Sequence, residues 1–169
     1  MPFVPDVAAN VPEVPRVQSD LRVALKELKI LSKDDAKKDT LLEFTPSSSY
    51  DPIKVRISFP GGRGVAALEG HVMDMEGELH EELRTALNYL NLELGLFRFY
   101  VGEMPGDRKA VFVRHDVLSS ATAPAVHARE LRQALTGLCA QKAIFAEPLK
   151  RAQEGAPWKG VQQALRALK

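Results

Sequence analysis

Apolar residues repeat along this chain with two alternating periods, and the switches between them mark out the elements. Leu21, Leu25, Leu28 and Leu31 fall on one face at spacings of three and four, which predicts a helix beginning after Ser19, whose hydroxyl suits a helix N-cap. Thr40 to Thr45 reads as a short strand. Ile53, Val55, Ile57 and Phe59 alternate with Lys54, Arg56 and Ser58, the period-two pattern of a strand with one buried face. PGGRG at 60–64 turns the chain, and Val65 to Val72 returns as the antiparallel partner.

The period then lengthens. Glu76, Glu78, Glu81 and Glu82 open a helix, where carboxylates suit the positive end of the dipole, and Leu79, Leu83, Ala86, Leu87, Leu90 and Leu94 form its stripe. Gly95 is expected to end it in a left-handed conformation. Two strands, Phe97 to Val101 and Ala110 to His115, are joined across MPGD at 104–107. Pro124 suits a first helical turn. The long helix that follows runs to about Glu154, with Leu131, Leu135, Leu138, Phe145 and Leu149 inward and Pro148 bending or weakening its end. Beyond Gly155 and Pro157, Trp158, Val161, Leu165 and Leu168 repeat at three, four and three, a seam for one groove.

The order is helix, three strands, helix, two strands, helix, plus a C-terminal helix. Antiparallel strands interrupted by helices define an α+β protein, a twisted antiparallel sheet flanked by helices, not a doubly wound one. Two stretches escape both periods. Pro2, Pro5, Pro12 and Pro15 make residues 1–16 an extended arm that excludes a helix, with Val4, Val7, Val11 and Val14 available to a partner or neighbouring subunit. Lys33 to Asp39 is a mixed-charge connector. Three segments result: an arm at 1–16, an α+β domain at 17–154, and a terminal amphipathic helix at 155–169, expected to be held weakly enough to engage another chain.

A chain of 169 residues fits one domain and should bury roughly two-thirds of its unfolded surface. Its 23 basic and 22 acidic side chains leave a net charge of +1, too little to steer it toward nucleic acid or an anionic membrane. A single cysteine, Cys139, excludes an internal disulfide and lies at core spacing from Leu131, Leu135 and Leu138. With no long apolar run, the expectation is a cytoplasmic protein that does not engage membrane.

Candidate chemistry is sparse. His71, His80, His115 and His127 share no metal-ligand spacing, and no HExxH or CxxC occurs. His80 with Glu76 and Glu81 comes closest to a helical ligand face. His115-Asp116 lacks a visible nucleophile or oxyanion donor. GGRG at 61–64 lacks the phosphate-loop spacing and lies between strands, so a hairpin turn explains it. In FRFYV, Phe97 and Phe99 share one face and belong to the core. No catalytic residue, metal or cofactor is assigned.

The helix bearing Asn88 and Asn91 in LNYLN is followed by LFRFYV at 96–101, VFVRHDVL at 111–118, the linker SSATAP, and the helix HARELRQALTGLCAQKAIFAEPL. Through these residues the stretch 76–154 resembles the YbjN family, itself similar in fold to type III secretion chaperones; residues 17–74 fit the same order less distinctively. The resemblance implies a homodimer of α+β protomers, and the secretion chaperones hold extended client segments on such dimers. No catalytic residues come with it.

The resulting expectation is a non-enzymatic, chaperone-like or regulatory adaptor that pairs with itself and binds another protein. The expected partner contacts are Trp158, Val161, Leu165 and Leu168, and the expected dimer contacts are Leu83, Leu87 and Leu90. Two alternatives stand beside it. One is a nucleic-acid accessory factor using Lys26, Lys29, Lys33, Lys37 and Lys38; the other is a regulator holding a small ligand in the sheet–helix crevice.

Overall fold

Among the described residues, six antiparallel strands form one sheet in the order β1-β2-β3-β4-β6-β5, and four helices complete an α+β fold. The computed structural model describes residues 14–37, 39–47, 49–60, 65–118 and 128–168. In chain order the elements are α1 (Val14–Glu27), β1 (Ser32–Asp34), β2 (Thr40–Phe44), β3 (Ile53–Ser58), β4 (Val65–Met75), α2 (Glu81–Glu93), β5 (Arg98–Met104), β6 (Arg108–Leu118), α3 (Ala128–Gln153) and α4 (Trp158–Ala167).

Alternation sets the two faces. Val55, Gly70, Val113 and Phe99 lie in register across β3, β4, β6 and β5, all facing the core. A Cβ at Gly70 would lie 2.6 Å from the buried Ile53 Cδ1, which would have to move aside. The register slips between His71 and Met73, so Val72 is the extra residue of a bulge in β4. The β5–β6 hairpin turns through Pro105, Gly106 and Asp107, the last two at φ +80° and +57°.

The helices share one core. α3 packs on β3, β4 and β6, while α2 and α4 pack on α3 and on each other. Leu21 and Leu25 of α1, Leu83 and Leu90 of α2, Leu131, Leu135 and Leu138 of α3, and Val161 and Leu165 of α4 belong to a single buried cluster. Phe99 meets Phe145 edge to face at 5.7 Å. Cys139 is buried and its thiol donates to the Asp51 carbonyl at 3.3 Å; burial pushes its pKa up, as befits a structural thiol.

Several sequence expectations are corrected. α1 starts at Val14, not after Ser19, because proline is tolerated in a first helical turn, where its missing donor has no intrahelical partner anyway. The arm is thereby shortened; residues 1–13 lie outside the described residues. The 33–39 connector contributes most of β1, whose Asp34 is tied to Arg22 at 2.6 Å. α2 begins at Glu81, after a loop holding Glu76 and Glu78. Gly95 follows the Leu94 cap without a left-handed φ. The GGRG turn at 61–64 and Pro124 lie outside the described residues. Pro148 sits buried inside α3.

The helix expected to be held weakly packs against the domain. Gly155 takes φ +82°, with Gly155 N–H donating to Ala152 at 3.1 Å and Ala156 N–H to Arg151 at 3.0 Å, the double bond of a Schellman turn. That turn sends α4 back against α3, and Val161 and Leu165 are buried as a result. Residues 155–168 therefore belong to the main domain.

Candidate binding face of the sheet

The residues expected to make contacts with other chains mostly serve the protomer's own core. Leu83, Leu87 and Leu90 are buried, so they offer no surface to a second copy. Val161 and Leu165 are likewise interior; Trp158 is half-buried with its ring edge-to-face on Tyr89 at 5.8 Å. Only Leu168 of that set is exposed, at 44%. The apolar seam of a terminal helix was filled from within.

What the helices leave bare is the other face of the sheet. A groove of about 640 Å³ runs over it, and its lining comes from strands and loops, with no helix residue among those described. Cross-strand register puts Leu41, Arg56, Glu69, Arg114 and Arg98 in one row across β2, β3, β4, β6 and β5. One step along, Glu43 faces Lys54, and His71, Phe112 and Tyr100 follow one another across β4, β6 and β5.

Aromatic contacts hold this second row: Tyr100 and Phe112 stack at 5.7 Å, and His71 meets Phe112 edge-on at 5.8 Å. Burial of the Tyr100 hydroxyl, with the Glu69 carboxylate beside it, raises its pKa well above the ordinary phenol value. Arg114 completes the centre, 3.9 Å from Glu69 and 2.7 Å from Asp116. Arg56, Lys54 and Lys33 stand exposed without a carboxylate within 4 Å among the described residues, and Leu31 projects beside them at 92% exposure.

Sequence reasoning left one face of the sheet toward water or a partner but named none of its residues, although a signal was present. In TLLEF, Leu42 and Phe44 point inward, so Leu41 is an apolar residue at an outward position. In AVFVR, Val111 and Val113 are inward and Phe112 is outward by the same rule. Apolar side chains on the polar phase of a strand are what a second contact surface requires.

The histidines lie apart from one another. His71 bonds Asp74 at 2.8 Å, His80 contacts Glu82, and His115 Nδ1 lies 3.0 Å from the Leu96 carbonyl; His127 lies outside the described residues. Glu82 is held below the usual carboxylate range by its backbone amide and by His80. Among the described residues no three His, Cys, Asp or Glu side chains converge as metal ligands.

Lys26 and Lys29 end α1, Lys33 is in β1 and Lys37 in the following turn, interleaved with Glu27, Asp34, Asp35 and Asp39. Lys38 lies outside the described residues. A smaller cavity, about 450 Å³, opens between the end of α1, β2 and Arg132 of α3, where a sheet–helix crevice was expected. Among the described residues no helix is long and apolar enough to cross a membrane.

Comparison with known proteins places the architecture. No family model matches this sequence, and no curated protein matches it. Among solved structures it is similar to the crystal structure of YbjN from E. coli, described there as a candidate transcription regulator. The match has a TM-score of 0.58 at 11% identity, covering 85% of this chain and 96% of that one. The chain has a YbjN-like fold.

Proposed function

We propose that this chain is a non-enzymatic regulatory adaptor that works in the cytoplasm as a homodimer and binds a protein partner across the bare face of its sheet. One observation carries the reading: a groove of about 640 Å³ lined by Leu41, Met104 and Phe112 beside Lys54 and Arg56, left uncovered by every helix among the described residues. An apolar patch rimmed by polar residues is the usual make-up of a contact surface. At its centre Arg114 lies 3.9 Å from Glu69 and bonds Asp116 at 2.7 Å, which suits holding a shape. The regulatory part of the reading draws on the likeness to YbjN.

The test compares the full chain with Phe112→Glu and Arg56→Glu in pull-downs from native lysate at moderate salt, with bound proteins identified by mass spectrometry. Specific partners should be retained by the wild type and lost by both variants, with far-UV circular dichroism showing that each variant keeps the fold. Partners that bind all three chains alike would remove the groove from the reading. Sedimentation equilibrium reads the dimer directly; a monomer at tens of micromolar would remove that part.

A further inference from the structure

Resting on the adaptor reading, we propose that the groove receives an acidic amphipathic helix of about a dozen residues from the partner. The first argument concerns backbone hydrogen bonds. Ladder bonds lie in the plane of the sheet, so its face offers an incoming strand no main-chain partners. A segment buried on this face must satisfy its own amides and carbonyls, and a helix does so.

Length follows from the lining. The groove's apolar groups sit at its two ends, Leu31 and Leu41 beside β1 and β2, Met104 and Phe112 on β5 and β6. The order β2-β3-β4-β6-β5 makes that four strand spacings, or about 19 Å at roughly 4.8 Å each. At 1.5 Å per residue a helix of about 13 residues covers the distance. Its contacts would recur every three or four positions.

Charge decides the sign of the flanks. Lys33, Lys54 and Arg56 line the groove with no carboxylate within 4 Å among the described residues. Of the two carboxylates in the lining, Glu69 lies 3.9 Å from Arg114, and Asp39 acts on Arg56 from beside the groove, so Glu43 and Asp39 stand against three cations. Asp and Glu beside the apolar stripe of the helix would meet that surplus; Lys and Arg would oppose it.

The experiment is a display library of random 13-residue segments, selected on the full wild-type chain and counter-selected on Phe112→Glu. Enriched segments should carry apolar residues at i, i+3 or i+4, and i+7, with Asp or Glu alongside. A synthetic peptide of that sequence should bind at least tenfold more weakly to Arg56→Glu, and replacing its acids by lysine should reverse the preference. Arg56 is exposed, so this variant retains the fold.

Enrichment of strictly alternating or basic segments, no enrichment, or binding indifferent to Arg56→Glu would overturn the helix. The adaptor reading survives those results if lysate partners are still lost with Phe112→Glu. It falls separately if they are not.

Discussion

At the scale of single residues, Asn91 does work usually left to a strand. β5 is a sheet edge, and the Asn91 side chain covers it: Nδ2 donates to the Phe99 carbonyl at 2.8 Å and Oδ1 accepts from the Phe99 amide at 2.7 Å. One amide thus copies the two-bond pattern of an antiparallel neighbour and blocks pairing there with a foreign chain. Asn91→Ala should lower unfolding free energy by about 1–3 kcal/mol, two bonds at roughly 0.5–1.5 each, as read from urea midpoints. Tyr100 gives a pH signature. Its folded pKa is raised, so the native state keeps a proton that the unfolded chain releases near pH ~10. Stability should therefore fall as pH climbs past that value, and Tyr100→Phe should flatten the fall between pH 9 and 11. An unchanged slope would mean that the phenol is not held as described.

At the scale of elements, the caps explain which sequence expectations held. β3 was legible because it alternates strictly, β4, β5 and β6 because apolar residues run through them, and α2 and α3 because their stripes are long. Element ends were less legible, since they depend on backbone conformations that no period records. α1 shows this at both ends. Pro15 sits in its first turn, and Lys29 closes its last with φ +57°, its amide donating to Lys26 at 3.0 Å while Ile30 donates to Leu25 at 2.9 Å. That is a Schellman turn without the usual glycine. Lys29→Gly should raise stability by about 1 kcal/mol by removing the left-handed strain, measurable as a higher denaturant midpoint. The site was less legible than the fold. Leu165 and Phe112 are both apolar residues on amphipathic elements, and only the packing of the helices onto one side tells which of them is interior.

At the scale of the whole molecule, one core joins the first described helix to the last. The YbjN-like fold was readable from residues 76–154, while the helix given a segment of its own buries Val161 and Leu165 against the domain. Unfolding should then be a single event. Trp158 fluorescence and far-UV circular dichroism should trace superimposable transitions in guanidinium, since Trp158 rests on Tyr89 of α2. Leu165→Ala should shift both traces together, at a cost of about 2–5 kcal/mol. An early fluorescence change alone would restore the picture of a detachable terminal helix.

All the described helices lie on one side of the sheet, and this divides the chain's tolerance for change. Replacing Leu41, Lys54 or Arg56 disturbs no interior packing, so evolution can rewrite that side to recognise new targets while the architecture stays put. Two descendants of one ancestor could then keep nearly superimposable backbones and have no binding preference in common.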